Sequence, residues 1–118
     1  MKTIGLLGGM SWESTAVYYS VANQLVRDRL GGLNSAKIVL DSLNFAEIAQ
    51  LQRADEWDRA AEVLALHAQR LERAGADMIL ICTNTMHLLY DHVQEAVTVP
   101  VIHIGDAAAA AARKQNLQ

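Results

Sequence analysis

The chain alternates short apolar runs with longer segments of helical periodicity, and this alternation limits the possible folds more than any other feature. The apolar runs lack regular polar positions, as expected of strands that are buried on both faces of a sheet. They occupy residues 3–7, 36–40, 78–81 and 100–104. The alternation predicts an α/β domain: a parallel sheet of about four strands flanked by helices in three layers, α/β/α.

The first helix is predicted to begin near Ser11, whose hydroxyl is suited to cap it, and to end at the glycine pair 31–32. Val17, Val21 and Leu25, with Tyr18 beside them, recur at helical spacing and predict its apolar stripe. Asn44 predicts the start of a second, short helix.

The segment 55–74 carries the clearest helical pattern, with Gly75 at its C-terminal stop. Asp55, Glu56 and Asp58 are placed in its first turn, where the helix dipole favours acidic side chains. Two further helices are predicted over residues 85–96 and over the alanine-rich residues 105–114.

Composition bounds the class of protein. With 118 residues and 52% hydrophobic residues the chain is predicted to form one domain with a proper core. The formal net charge of −3, without a basic stripe, argues against nucleic acid and against a membrane as partners. The single cysteine, Cys82, cannot form an intramolecular disulfide, and we therefore expect a cytoplasmic protein.

The glycines after the first strand do not match a nucleotide-binding motif. Gly5, Gly8 and Gly9 have neither the G-x-G-x-x-G spacing nor the lysine of a P-loop. Two interpretations remain: a turn that lets strand and helix pack closely, or a backbone that must approach a small ligand.

Residues 82–87, with the sequence Cys-Thr-Asn-Thr-Met-His, follow the third apolar run, where a strand is expected to lead into a helix. A helix N-terminus binds small anions through its unpaired N–H groups and its dipole. Cys82 is either a buried strand cysteine or a thiol whose pKa the helix dipole lowers. His87 either orients a reacting group or packs against the helix.

The histidines do not predict a metal site. His87 and His92 are five residues apart and therefore point to different faces of one helix, and there is no second cysteine. His67 is predicted to be a surface or boundary residue of the helix 55–74.

Two segments together resemble the aspartate/glutamate racemase family over the full length of the chain. They are residues 5–11, followed by Tyr18, Tyr19 and Asn23, and residues 82–87. The resemblance implies a racemase that uses no cofactor, and in particular no pyridoxal phosphate. In such enzymes two side chains on opposite faces of an amino acid's α-carbon act as base and acid.

The resemblance also implies roles for individual residues. The gapless register, anchored on Asn84, Thr85 and His87, puts Thr83 at the position of the family's first catalytic cysteine, with Cys82 as the second candidate. Asn84 and Thr85 are expected to hold the substrate's α-carboxylate. Met10 and Ser11 are expected to line the opposite wall of the substrate site. Gln52 is assigned as a further polar contact to the substrate.

Family members are about twice this long and consist of two similar halves, the second of which carries the partner cysteine. We therefore expect an N-terminal half, with residues 105–118 as the crossover toward the second half, inactive alone and prone to self-association as a homodimer or otherwise. The expected substrate is a small acidic amino acid, although Arg27, Arg29, Arg53, Arg59, Arg70 and Arg73 all fall on or beside predicted helices. Two alternatives remain: a decarboxylase or isomerase that needs one acid/base residue, and a non-catalytic domain that binds a carboxylate or forms an interface.

Overall fold

The computed structural model describes residues 1–82 and 89–102 of the chain. Within them the strands are β1 (Thr3–Gly8), β2 (Lys37–Ser42), β3 (Met78–Ile81) and β4 (Val101–Ile102). The helices are α1 (Trp12–Leu30), α2 (Phe45–Arg53), α3 (Trp57–Arg73) and α4 (Tyr90–Ala96). The predicted order of elements is confirmed over this part of the chain. The start of the helix expected over 85–96 and the whole of the one expected over 105–114 lie outside the described residues.

The strands form one parallel sheet in the order β2-β1-β3-β4. The chain leaves β1 toward β2 on one side and leaves β3 toward β4 on the other. The connections therefore diverge between β1 and β3, and in open parallel sheets ligands bind at the carboxyl ends of strands at such a switch point.

The two faces of the sheet are identified by close contacts of glycines in β1. A Cβ added to Gly5 would lie 2.9 Å from the Cβ of Ala76 and 3.3 Å from that of Leu71 in α3. A Cβ added to Gly8 would lie 2.6 Å from Thr15 in α1. Because residues 5 and 8 point to opposite sides of a strand, α1 and α3 lie on opposite faces. The predicted three-layer α/β/α architecture is confirmed.

The main core lies on the α3 face, where α2, α3 and α4 pack over the sheet. Buried side chains come from each of these helices and from the strands; they include Leu7, Ile48, Leu64, Ile81 and Val93. The predicted periodicity of α3 is confirmed at Ala60, Ala61, Leu64, Ala68 and Leu71, which are all buried, but not at Trp57, the first residue of the predicted set, which is exposed.

The predicted apolar stripe of α1 does not face the core. Val17, Val21 and Leu25 are 59%, 44% and 53% exposed, and Thr15 is the buried residue of this helix. Since a helix turns by about 100° per residue, the line that faces the sheet is offset by one position and includes the partly buried Tyr18. Among the described residues α1 is the one helix on this face of the sheet.

The predicted start of the helix 55–74 is also wrong, because α3 begins at Trp57. Asp55 has a φ of 59° and ends α2 instead. Its N–H donates to the carbonyl of Gln52 at 3.1 Å, and the N–H of Glu56 donates to that of Leu51 at 2.8 Å. These are the two bonds of a Schellman motif, so Asp55 and Glu56 precede α3 and leave Asp58 in its first turn.

The predicted stop at Gly75 is confirmed and uses the same motif. Gly75 has a φ of 102°, and its N–H donates to Glu72 while that of Ala76 donates to Leu71. No helix within the described residues is long and apolar enough to cross a membrane.

Candidate active site at the carboxyl edge of the sheet

Cys82, the described residue of the second motif, lies beside the end of β1 at the switch point. The N–H of Cys82 donates to the carbonyl of Leu7 at 3.0 Å, so the end of β3 lies beside the last residues of β1. The loop that follows β1, residues 9–11, therefore begins next to the position where residues 83–87 begin.

The loop after β1 is held by Thr15, which is buried. The N–H of Gly9 donates to Thr15 Oγ1 at 3.0 Å, and that hydroxyl donates to the carbonyl of Ser11 at 3.0 Å. One side chain thus satisfies two backbone groups of the turn, which would otherwise be costly to bury. The sequence analysis did not single out Thr15, although its position four residues after the expected cap Ser11 is where a hydroxyl reaches back to the loop.

Close packing accounts for the two glycines of this turn. Gly9 has a φ of 87°, and a Cβ there would lie 2.2 Å from the carbonyl oxygen of Leu43. The N–H of Leu43 donates to the carbonyl of Gly8 at 2.9 Å, so the loop after β2 rests directly on the loop after β1. A side chain at Gly9 would collide with the backbone of Leu43, and one at Gly8 would collide with the side chain of Thr15.

Ser11 and Met10 have different environments in the loop. Ser11 caps α1 as predicted: its backbone is extended, and its Oγ accepts from the N–H of Ser14 at 3.4 Å. The Met10 side chain is 4% exposed and packs in the core on the α3 face. A contact between Met10 and a ligand would therefore have to use the backbone.

Gln52 lies in the last turn of α2 and is partly buried. Its carbonyl accepts from the N–H of Asp55 in the motif that ends the helix.

Cys82 is fully buried, and its Sγ lies 3.7 Å from the carbonyl oxygen of Leu80. Burial raises the pKa of this thiol from 9.0 to about 12. This shift is opposite in direction to the one expected for a thiol at a helix N-terminus. At neutral pH Cys82 is a protonated thiol, which neither attacks nor accepts a proton.

The side chain of Cys82 is directed toward α1. Leu7 and its paired residue Ile81 belong to the core on the α3 face, so the next residue along β3 points to the other side. Tyr18 lies on this side, and its pKa is raised by its own burial and then by the nearby Cys82.

Thr83, Asn84, Thr85 and His87 lie outside the described residues, so their assigned roles stay predictions. His92 lies in α4, and His67 is a boundary residue as predicted. The Nδ1 of His67 is 2.8 Å from Asp41 Oδ2, which also lies 3.8 Å from the Nε of Arg70. Within residues 1–82 and 89–102 no group of three or more acidic, histidine or cysteine side chains could hold a metal ion.

An open groove of about 350 Å³ runs along α1 on the side of β2. Its lining comprises Trp12, Thr15, Ala16, Tyr19, Leu40 and Ser42. These side chains carry no charge, so the groove does not suit a dicarboxylate. The arginines of the described residues all lie in helices, as the sequence predicted: Arg27 and Arg29 in α1, Arg53 in α2, and Arg59, Arg70 and Arg73 in α3.

The fold and the placement of the motifs define an open parallel α/β domain whose candidate site lies at a topological switch point. The family model described as Asp/Glu/hydantoin racemase matches residues 7–118. The chain belongs to this family, as the resemblance of its two motifs implied.

The similar proteins that are known agree with this assignment. A provisionally assigned Asp/Glu racemase from Yersinia pestis has a solved structure that is 50% identical, with a TM-score of 0.90, over 98% of this chain and 50% of that one. An aspartate racemase homologue from Pyrococcus horikoshii OT3 is 36% identical, with a TM-score of 0.85, over the same shares of the two chains. The broad specificity amino-acid racemase RacX of Bacillus subtilis (strain 168) is 28% identical over 104 residues, which are 86% of this chain and 45% of RacX. The chain thus spans about half the length of these relatives.

Proposed function

We propose that the chain is the N-terminal half of a cofactor-independent amino-acid racemase that acts on aspartate or glutamate. The observation that carries the proposal is the family match over residues 7–118. It is supported by the hydrogen bond of 3.0 Å from the N–H of Cys82 to the carbonyl of Leu7, since Cys82 begins the second motif and Leu7 belongs to the first.

In this proposal Thr83 is the acid/base residue for one face of the substrate's α-carbon. Cys82 remains the second candidate, but its burial and its pKa of about 12 make it a poor base at neutral pH. A hydroxyl is itself a weak acid and a poor base without an activator, so proton transfer on this face should be slow. The partner acid/base residue lies outside these 118 residues.

The remaining assignments concern substrate binding. Asn84 and Thr85 bind the α-carboxylate at a helix N-terminus, and His87 orients the reacting groups. Ser11 and the backbone of Met10 form the opposite wall, which Thr15 holds in place through its bonds to Gly9 and Ser11. Gln52 supplies a further polar contact. We propose the cytoplasm as the place of action and self-association as the state of the isolated chain.

The test compares two forms of the protein in a chiral separation assay with each enantiomer of aspartate and glutamate. The 118-residue chain alone should not racemise any of them. The same chain joined to the part of the Yersinia pestis protein that it does not match should racemise at least one. The intact Yersinia pestis protein is the positive control.

Substitutions in the joined protein then assign the acid/base residue. Thr83→Ala should abolish racemisation, whereas Thr83→Ser, which keeps the hydroxyl, and Cys82→Ala should retain it. Loss of racemisation in Cys82→Ala, with activity retained in Thr83→Ala, would transfer the role to Cys82. An inactive joined protein beside an active control would refute the proposal, and racemisation by the 118-residue chain alone would refute the claim that it is half of a site.

A further inference from the structure

The two edge strands of the sheet differ in how their outer backbone groups are satisfied. At β4 the outer edge is closed by side chains of α4. Because the carbonyl of Pro100 accepts from the N–H of Ile79 in β3, the backbone groups of Val101 point the other way. There the N–H of Val101 donates to Gln94 Oε1 at 2.9 Å, and its carbonyl accepts from the Tyr90 hydroxyl at 2.6 Å. Val101 therefore offers no free backbone group to a further strand.

The outer edge of β2 is open. The N–H of Leu43 donates to the carbonyl of Gly8 in β1, so odd-numbered residues of β2 direct their backbone groups toward β1 and Ile38 and Leu40 direct theirs outward. Within residues 1–82 and 89–102 no donor or acceptor meets these outward groups. The strand is six residues long, and Leu40 is 46% exposed. An uncapped edge of this length is a template for pairing with another chain.

We propose that β2 pairs with β2 of a second copy of this chain, antiparallel and with Val39 opposite Val39, so that the two sheets become one. A two-fold axis through the middle of a strand produces such a pairing, and two-fold dimers are the commonest oligomers. The outward groups of one strand must meet those of the other, since hydrogen-bonded pairs exchange bonds in both directions. Ile38 opposite Leu40 is such a pair. The pairing specifies the self-association proposed above and does not depend on racemase activity.

The charges of β2 are complementary to themselves in this register. Lys37 of one copy stands opposite Asp41 of the other at both ends of the paired segment. The two residues are four positions apart and therefore share a face, the one where Asp41 Oδ2 lies 2.8 Å from His67 Nδ1 of α3. They form a non-hydrogen-bonded pair, in which side chains approach most closely and opposite charges stabilise a sheet. A shift by two residues in either direction would put Lys37 or Asp41 opposite Val39, so charge selects the register.

The other face of the paired strands is apolar. Ile38 and Leu40 lie on the α1 face, where Leu40 lines the groove with Trp12 and Tyr19. Trp12 and Tyr19 are 69% and 51% exposed. Pairing would place Ile38 of one copy beside Leu40 of the other and extend this apolar surface across the axis. Contiguous exposed apolar surface of this kind usually marks an interface.

The test is disulfide formation between copies, with one cysteine moved along β2 in the Cys82→Ala background of the 118-residue chain. Val39→Cys should form a linked dimer fastest, because its two copies stand opposite each other with Cα atoms about 4.5 Å apart. Ile38→Cys and Leu40→Cys, which do not stand opposite themselves, should link about tenfold more slowly. Leu33→Cys is the control for chance encounters, since Leu33 is fully exposed and lies outside the strands. Fastest linking at Ile38 or Leu40, or linking no faster at Val39 than at Leu33, would overturn the proposal.

A second measurement is the dissociation constant of the dimer by sedimentation equilibrium. Lys37→Glu should raise it about tenfold, because both contacts with Asp41 become like-charge pairs. Lys2→Glu makes the same change of net charge at another exposed lysine and should leave the constant nearly unchanged. Equal effects of the two variants, or a 118-residue chain that stays monomeric, would overturn the proposal.

The other conceivable occupant of the open edge is the part of the longer relatives that this chain does not match. The cross-linking is therefore repeated in the protein joined to that part of the Yersinia pestis protein. A Val39→Cys link in both forms supports the proposal, whereas a link that is lost on joining would assign the edge to the added half and overturn it. Neither measurement uses racemisation, so this proposal and the proposed function can fail separately.

Discussion

Cys82 should react with alkylating reagents far more slowly than an ordinary protein thiol. Its side chain is fully buried, and burial raises its pKa from 9.0 to about 12. The thiolate is the reactive form, and at pH 8 its fraction is about 10⁻⁴ for the folded protein against about 10⁻¹ for a thiol with a pKa of 9. Ionisation alone therefore slows the reaction about a thousandfold, and exclusion of the reagent slows it further.

The assay is the rate of iodoacetamide labelling at pH 8, followed by intact mass. The protein in denaturant is the control, because its thiol has an ordinary pKa and free access. Native and unfolded rates within a factor of ten of each other would show that Cys82 is exposed and ionised. That result would refute the account of its environment and would restore Cys82 as a candidate base.

Three further predictions concern the stability of the fold and can be measured by urea denaturation. Because its pKa is raised, Cys82 keeps its proton in the folded state while the unfolded chain loses it, so its contribution to stability is full below about pH 9 and falls as the pH rises toward 12. Between pH 8 and 10 the free energy of unfolding should fall by about 1.4 kcal/mol more than it does in Cys82→Ala. Equal losses in the two proteins would contradict the raised pKa. Thr15→Val should lower the free energy of unfolding by about 1–3 kcal/mol because it leaves the Gly9 N–H without its partner. Thr15→Ser keeps the hydroxyl and should lose only about 1 kcal/mol, for the missing methyl group. Similar losses in the two variants would argue against the role of the hydroxyl. Gly75→Ala should lower the free energy of unfolding by about 1–2 kcal/mol because of its positive φ alone, since nothing lies within 4 Å of the added Cβ. Gly9→Ala should lower it further, because its Cβ collides with the backbone of Leu43. The reverse order would refute the account of close packing at Gly9.

The sequence predicted the architecture because the architecture depends on patterns that are local. Strands buried on both faces need uninterrupted apolar runs, and each of the four runs proved to be a strand of a parallel sheet. The end of α3 could also be predicted, since Gly75, which follows the helix, takes a φ of 102° that favours glycine. The family motifs added the site's location, which the strand order then explained as a switch point.

The errors have a common physical origin, which is tertiary context. Asp55 is a favourable residue in the first turn of a helix, but it takes a positive φ to end the helix before it. Val17, Val21 and Leu25 have helical spacing, but spacing alone does not fix the rotation of a helix about its axis. That rotation is set by Thr15, whose bonds to the turn after β1 determine which side of α1 meets the sheet.

The environment of Cys82 shows why the chemistry of a site needs more than its motif. The sequence places the thiol at a strand end before a helix, and this context alone is compatible with a lowered or a raised pKa. The outcome depends on which face of β3 residue 82 occupies and on what covers that face. The residue lies under α1, beside Tyr18, and its burial there raises the pKa of the thiol. This environment gives no support to Cys82 as a base at neutral pH, and the proposed role of Thr83 rests on the register of the family motif.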